Sequence, residues 1–265
     1  INAAGDVKSS VANAIWKIGE IDKGFLALTK KYYGSSIFSI IDADTINKWV
    51  RLKTYDKIDK LVTPQDVINA SLVLTNAIYF KGDWLHQFDV KLTHQRKFTT
   101  PDNQEVDVDM MEQFGTFNYY ADGDCKVLEL PYKGKAISMF LLLPRGELSI
   151  ADFVKKLDRQ SFQRYTESMH SINIDVALPK FSFTSEFVLN DPLIGMGMSD
   201  AFSPKADFSG IAPGLSISLV KHKAFIEVNE KGSEAAATTA VVMTKSMPLQ
   251  FIANKPFIFL IRDNQ

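Results

Sequence analysis

The sequence predicts an α+β fold, because stretches with helical spacing occur beside many stretches typical of antiparallel strands. Between residues 98 and 144 the pattern is of strand type throughout, whereas residues 22–33 and 44–61 are amphipathic with helical spacing. Of the 265 residues, 46% are hydrophobic and 23% are charged, as in ordinary soluble globular proteins. This length suits one large domain or two small ones.

The first forty residues predict a strand, a helix and a second strand. Weak alternation of apolar and polar residues indicates a strand at residues 10–16, and residues 36–41 are a short strand candidate. Residues 22–33 carry apolar side chains at helical spacing, and their last turn contains lysines, which a helix C-terminus favours.

The next element is an amphipathic helix over Asp44–Leu61, with Asp44 or Thr45 as its N-cap. Ile58 and Leu61 are included in the predicted helix because they continue its series of apolar side chains. The basic side chains of this helix could form an anion site, but a solvated helix face explains them more simply.

Residues 71–80 are a nearly continuous apolar run of strand type, which predicts a strand buried on both faces. Asn76 lies inside this run, so its side chain must find hydrogen-bond partners. Further strands are predicted at Val106–Met111, Thr116–Tyr120, Lys126–Pro131, Ile137–Leu143, Ile172–Ser182 and Ser216–Val228. Further helices are predicted within Ser149–Tyr165 and Pro192–Phe202, and a hairpin turn at residues 132–135.

Composition argues against several classes of function. The net charge of −1 gives no field that would attract nucleic acid, and no apolar run is long enough to span a membrane. We therefore expect neither nucleic acid nor a membrane as a partner. The single cysteine, Cys125, excludes an internal disulfide and a multi-cysteine metal site.

No arrangement of catalytic or metal-ligating residues stands out. The four histidines lack metal-site spacing, and no nucleophile elbow or phosphate-binding loop occurs. Asp107 and Asp109 share a strand face, where solvation explains them more simply than catalysis. Cys125 is interpreted as a bystander, and His222, within an apolar strand, as a hydrogen-bonded core histidine. We therefore predict no enzyme activity, no metal and no cofactor.

The segment Val228–Pro248 has two halves with different structural preferences. Ser233, Glu234 and the alanines that follow favour the start of a helix, whereas Thr238–Met243 is β-branched and apolar and favours a strand. A surface loop is normally more polar and more interrupted than this segment. A segment that could enter a sheet without starting there is a candidate moving part.

Motifs spread over essentially the whole chain closely resemble those of the serpin family and occur in serpin order. They are Asn76–Trp84, Met110-Met111 with Gly115-Thr116-Phe117, Leu178–Phe181, Asp207–Ile211, Val228–Thr239 and Asn254–Phe259. The resemblance implies a serpin fold with a large central mixed β-sheet, two further sheets and surrounding helices, in one domain over residues 1–265. The pattern departs at both ends, where we expect the first helices and the strand after Ile261 to be missing, leaving an exposed edge at Phe257–Ile261.

The resemblance also implies a protease inhibitor that works once. A target protease attacks an exposed reactive loop, about residues 232–248, and forms an acyl-enzyme. The cleaved loop then inserts as a new strand into the main sheet, and the strain of a metastable fold is released. The implied partner is a serine protease bound covalently by a monomeric, secreted, extracellular inhibitor. A non-inhibitory serpin acting as a carrier or chaperone is the alternative.

Insertion must begin at the N-terminal end of the reactive loop, so the hinge is expected there. Gly232 tolerates the changing backbone angles of a hinge, and no proline blocks strand pairing. Alternate residues would enter the sheet, where small side chains fit and an unpaired charge is costly, while Glu234 falls on the opposite face. The predicted hinge residues are Glu230, Gly232, Ser233, Ala235, Ala236, Ala237, Thr238 and Thr239.

Two counts along the loop place the scissile bond one residue apart. Counting back from Asn254 places it at Lys245-Ser246, and counting forward from Glu230 places it at Ser246-Met247. Lys245 is favoured and would suit a trypsin-like protease, because the buried ammonium needs a carboxylate partner. Cleavage after Ser246 would suit an elastase-like protease.

The resemblance assigns a gate to the main sheet. Glu230 matches a hinge glutamate that pairs with Lys180 at the top of the sheet, where Trp84 also packs. Asn76 and His222 match a polar pair under the sheet centre, where a buried hydrogen bond could hold the closed sheet together. Plain structural packing is the alternative for these residues.

Overall fold

The computed structural model describes residues 7–231 and 249–264. They divide into two compact units, the first formed by residues 8–80 and 182–226 and the second by residues 7, 81–181, 227–231 and 249–264. This division does not test the expectation of a single domain, which stays a prediction. Among the described residues, no helix has the length and apolar character needed to cross a bilayer.

Helices and strands follow one another in the α+β order that the sequence predicts. The strands are β1 (Val7–Lys17), β2 (Ser36–Phe38), β3 (Leu72–Gly82), β4 (His94–Thr99), β5 (Glu105–Ala121), β6 (Cys125–Pro131), β7 (Ile137–Pro144), β8 (His170–Pro179), β9 (Phe181–Val188), β10 (Leu219–Val228), β11 (Leu249–Ile252) and β12 (Ile258–Asp263). The helices are α1 (Lys23–Tyr33), α2 (Ala43–Lys53), α3 (Pro64–Val67), α4 (Ile150–Lys156), α5 (Arg159–Glu167) and α6 (Asn190–Gly195), with 3₁₀ turns at Val90–Leu92 and Ser199–Phe202.

The first unit is built on a five-stranded sheet with the strand order β2-β1-β3-β10-β9. The pairs β1–β2 and β3–β10 are parallel, and the second pair runs from Leu219 opposite Val73 to Ile226 opposite Phe80. Helix α2 packs its apolar side chains against small and aromatic residues of β1 and β3. The core formed in this way includes Ala12, Ala14, Trp16, Ile46, Trp49, Val50, Val73 and Ala77.

The second unit contains a seven-stranded sheet with the order β11-β8-β5-β6-β7-β12, and β4 also pairs with β5. Strand β11 runs parallel to β8, whereas the other pairs are antiparallel. Strand β7 is buried along its whole length, and β12 ends the order beside it. The described residues thus form two sheets, where the resemblance implies three.

Helix α2 begins earlier than predicted. Its N-cap is Asp42, whose carboxylate accepts a hydrogen bond from the backbone N–H of Thr45 at 2.8 Å. The prediction of Asp44 or Thr45 as the cap was therefore wrong. Asp44 instead lies in the first turn, where the helix dipole favours a negative charge.

Helix α2 also ends earlier than predicted, at Lys53 rather than Leu61. Tyr55 has a φ of 53°, which no right-handed helix accommodates. The chain returns along the helix because the Asn47 side-chain oxygen accepts a hydrogen bond from the Leu61 N–H at 2.8 Å. Ile58 and Leu61 are buried by this returning segment and not by further helical turns.

Two predicted strand boundaries were also wrong. Residues 106–111 and 116–120 belong to the single long strand β5, because β8 pairs with it continuously from Met110 to Tyr119. The strand predicted over residues 172–182 instead breaks at Lys180, which separates β8 from β9.

Candidate functional site

The last described residues before position 232 are held in the second unit by an ion pair. One carboxylate oxygen of Glu230 lies 3.1 Å from Nζ of Lys180, and the side chains are 7% and 35% exposed. The backbone of each partner is also bound, because the N–H of Lys180 donates to the Asp109 carbonyl and the Glu230 carbonyl accepts from the N–H of Phe88. Burial raises the pKa of Glu230, but hydrogen bonds, including the one from Lys180, outweigh it and lower that pKa overall.

Trp84 lies with Phe88 on the connection that follows β3, and it is almost completely buried. Its indole N–H donates to the carbonyl of Asn229 at 2.9 Å, and its ring stacks on Tyr132 at a centroid distance of 4.5 Å. This stacking requires glycine at position 82, since a Cβ atom there would lie 2.5 Å from the Tyr132 ring. The chain leading to Glu230 is therefore anchored to the turn of the β6–β7 hairpin.

In the first unit, two linked side-chain hydrogen bonds connect three neighbouring strands. Nδ1 of His222 on β10 lies 2.6 Å from Oδ1 of Asn76 on β3, and these residues are register partners. Nδ2 of Asn76 donates to Oδ1 of Asn13 on β1 at 2.7 Å. The His222 ring also stacks on Phe187 of β9 at 6.2 Å. Burial lowers the pKa of His222, which favours the neutral imidazole.

Sequence reasoning missed Lys221, the neighbour of His222 on β10. Its side chain is 8% exposed, and its Nζ lies 3.0 Å from a carboxylate oxygen of Asp66 and 3.0 Å from one of Glu186. Burial lowers the pKa of Lys221, but hydrogen bonds to the two carboxylates outweigh it and raise that pKa. Asp66 lies on α3, so Lys221 connects β10 to the helix that precedes β3. The sequence signal that could have identified Lys221 is its place within an apolar, alternating strand.

The residues considered for catalysis form no site in the structure. Asp107 pairs with Lys97 at 2.9 Å and Asp109 accepts a hydrogen bond from Gln95, so each carboxylate contacts β4. The thiol of Cys125 is buried, and burial raises its pKa to about 12, which keeps it protonated and unreactive. No group of three histidine, cysteine or acidic residues that could hold a metal occurs in the part of the chain that the structure describes.

The structure places the predicted gate residues in two groups. Trp84, Lys180 and Glu230 belong to the second unit, and Asn76 and His222 to the first. These contacts are observed, whereas the gate function assigned to them stays a prediction. The remaining predicted residues lie outside the described ones: Gly232, Ser233, Ala235, Ala236, Ala237, Thr238, Thr239, Lys245, Ser246 and Met247.

A family model described as Serpin (serine protease inhibitor) matches residues 1–265. A serpin-like protein of Methanosarcina mazei is 37% identical over an alignment that covers 100% of this chain and 66% of the relative. The chain therefore spans slightly less than two thirds of the length of this relative.

Solved structures with known ligands share this architecture. Native protease nexin-1, crystallised with heparin, superposes with a TM-score of 0.88 at 31% identity, covering 97% of this chain and 73% of the other. Human thyroxine-binding globulin, crystallised with thyroxine, superposes with a TM-score of 0.87 at 27% identity, covering 98% and 73%.

Proposed function

The chain belongs to the serpin family, and from that premise we propose that its protein is a suicide inhibitor of serine proteases and not an enzyme. The observation that carries the proposal is the alternation of Ser233, Ala235, Ala237 and Thr239, whose small side chains suit entry into a sheet.

The contacts in the first unit support a sheet that opens between β3 and β10. Adjacent strands lie about 4.8 Å apart, so a strand inserted between them would roughly double the separation of His222 and Asn76. Their hydrogen bond, and that between Lys221 and Asp66, would then break. These contacts therefore stabilise the closed sheet and would oppose insertion until the loop supplies new strand pairing.

The contacts in the second unit support a fixed starting point for the loop. Glu230 is held by Lys180 through its side chain and by Phe88 through its carbonyl. Motion that begins after Glu230 would start at Gly232, the residue with the fewest backbone restrictions. We propose Lys245-Ser246 as the scissile bond of a trypsin-like target, with Ser246-Met247 as the alternative, in a monomeric secreted protein.

The test mixes the full-length protein with trypsin and, separately, with elastase. We expect trypsin to give a covalent complex that survives boiling in SDS, and mass spectrometry of the released fragment to locate the cut after Lys245. A cut after Ser246 by elastase, with a complex, would move the bond by one residue. Loop cleavage by both proteases without any complex would overturn the inhibitor proposal.

A carrier function is the second candidate, because the similar human thyroxine-binding globulin was crystallised with its ligand. A carrier, or a chaperone, would be cleaved in the loop without the large rise in thermal stability that insertion brings. Comparing the unfolding temperatures of intact and cleaved full-length protein therefore separates the two candidates.

A further inference from the structure

We propose that a cleft in the second unit binds a small oxyanion of the phosphate or sulfate type. The cleft has a volume of about 400 Å³ and lies where β6 begins, β7 ends and β11 passes into the segment that follows it. Three cationic side chains line it, Lys126 from β6, Arg145 after β7 and Lys255 after β11. This site is independent of the proposed inhibitory function.

The cleft concentrates positive charge that no carboxylate balances. Among the described residues that line it, none is an aspartate or a glutamate. Other surface lysines of the same unit have acidic partners, such as Lys97 with Asp107 at 2.9 Å and Lys156 with Asp124 at 3.0 Å. Three like charges gathered without a counterion repel one another, so a bound anion would be stabilised by all three.

The two lysines are positioned by neutral backbone oxygens. Nζ of Lys126 donates to the carbonyl of Gln250 at 3.0 Å, and Nζ of Lys255 donates to the carbonyl of Gly146 at 3.2 Å. An ammonium group has three N–H donors, and each of these contacts uses one, so each lysine keeps two that a bound anion could accept. The carbonyls thus orient the ammonium groups without neutralising them.

The third cation is oriented in the same way. Arg145 donates to the backbone carbonyl of Asp122, and its own N–H donates to the Asp124 carbonyl. Burial lowers the pKa of Lys126, and the charges of Arg145 and Lys255 lower it further. The mutual repulsion deduced from the lining residues therefore acts on Lys126.

The geometry favours a tetrahedral oxyanion over a halide. A phosphate group carries between one and two negative charges near pH 7 and offers several acceptor oxygens, so it can meet donors that converge from three segments. The side-chain amides of Gln250 and Asn254 line the same cleft and supply further donors. Chloride would satisfy the charge but could not satisfy these separate hydrogen bonds.

The test titrates the full-length protein with inorganic phosphate and with sulfate, at an ionic strength held constant with sodium chloride. Calorimetry and the thermal unfolding midpoint provide two readouts of binding. Hydrogen exchange of a peptide covering residues 249–255 provides a local readout. We expect saturable binding in the millimolar range or tighter, a higher unfolding midpoint, and slower exchange in this peptide.

Charge variants distinguish a site from a general salt effect. Lys126→Gln and Lys255→Gln should each weaken binding at least tenfold, whereas Lys30→Gln, on the exposed surface of α1, should leave it unchanged. Phosphate and sulfate stabilise many proteins by being excluded from their surfaces, and that effect does not saturate. An equal, unsaturated rise in all variants would overturn the proposal. If Lys126→Gln loses the far-UV circular dichroism of the folded protein, Lys255→Gln and the exchange data on the wild type decide.

Discussion

His222 and Asn76 face each other across parallel strands, with Nδ1 of the imidazole 2.6 Å from Oδ1 of the amide. Because the Asn76 nitrogen already donates to Asn13, its oxygen must accept, and Nδ1 of His222 must carry the proton. A neutral imidazole satisfies the arrangement, so the three strands are connected without a charge. The hydrogen bonds are only partly buried or exposed, and not buried as expected from the resemblance.

This arrangement predicts that acid weakens the fold through His222. Its folded pKa lies below the ordinary value of 6.5, so the unfolded chain takes up the proton at a higher pH than the folded protein does. The free energy of unfolding should therefore fall as the pH drops below 6.5 and level off below the folded pKa.

The pH prediction is checked by urea unfolding of the full-length protein between about pH 7.5 and pH 5. His222→Gln should remove this part of the pH dependence, and His170→Gln, at an exposed position, should retain it. A His222→Gln profile that parallels the wild type would show that His222 does not carry the effect.

The Glu230–Lys180 pair should contribute a measurable coupling to stability. A double-mutant cycle with Glu230→Gln and Lys180→Met is expected to give about 1 kcal/mol, because water screens the partly exposed lysine. Since the pKa of Glu230 is depressed below 4.5, the contribution is present above pH 4.5 and is lost as the pH falls through the lower folded pKa. The exposed Lys155–Asp152 pair is the control, and its coupling is expected to be clearly smaller because water screens both charges. Equal couplings in the two cycles would contradict the prediction.

Gly82→Ala should destabilise the protein by about 2–3 kcal/mol, measured by urea unfolding. The added Cβ would meet the Tyr132 ring at 2.5 Å, and that buried ring is stacked on Trp84 and has little room to move. Gly123→Ala is the matched control, because no atom lies within 4 Å of a Cβ built there. We expect its effect to stay within about 0.5 kcal/mol. Similar losses in the two variants would rule out the steric explanation.

Lys221→Met should lower the free energy of unfolding by about 2 kcal/mol, because it leaves the Asp66 carboxylate without its cationic partner. Glu186 keeps a second partner in Lys223 at 2.7 Å, which limits the loss. Lys155→Met, at an exposed pair, should leave the stability nearly unchanged. If Asp66→Asn does not restore part of the stability in the Lys221→Met background, unpaired charge is not the cause.

The alternation of the hinge predicts opposite effects for neighbouring positions. Ala235→Arg would place a charge on the face that enters the sheet, so the full-length protein should become mainly a substrate of trypsin. Its stoichiometry of inhibition should rise at least tenfold. Glu234→Arg changes the charge more strongly, but the alternation would place it on the other face of the inserted strand, so this variant should keep inhibiting. Equal behaviour of the two variants would contradict the alternation.

Local patterns were sufficient for most of the individual elements. Asp22–Tyr33, Ile137–Leu143 and Lys126–Pro131 were placed within a residue or two of α1, β7 and β6, because apolar periodicity and turn chemistry act over a few neighbouring residues. The predicted end of α2 was wrong because the segment after the helix folds back along it. The backbone N–H of Leu61 donates a hydrogen bond to the Asn47 side chain, a contact that apolar periodicity does not reveal.

The sequence by itself determined the family, through motifs spread along the chain, and the alternation of small residues from Ser233 to Thr239. Only the tertiary structure decided which polar groups meet. His222 contacts Asn76 because β10 pairs with β3 in one register, and a shift of a single residue would separate them. Lys221 finds Asp66 for the same reason. Contacts between residues more than a hundred positions apart depend on strand order and register, which local sequence does not encode.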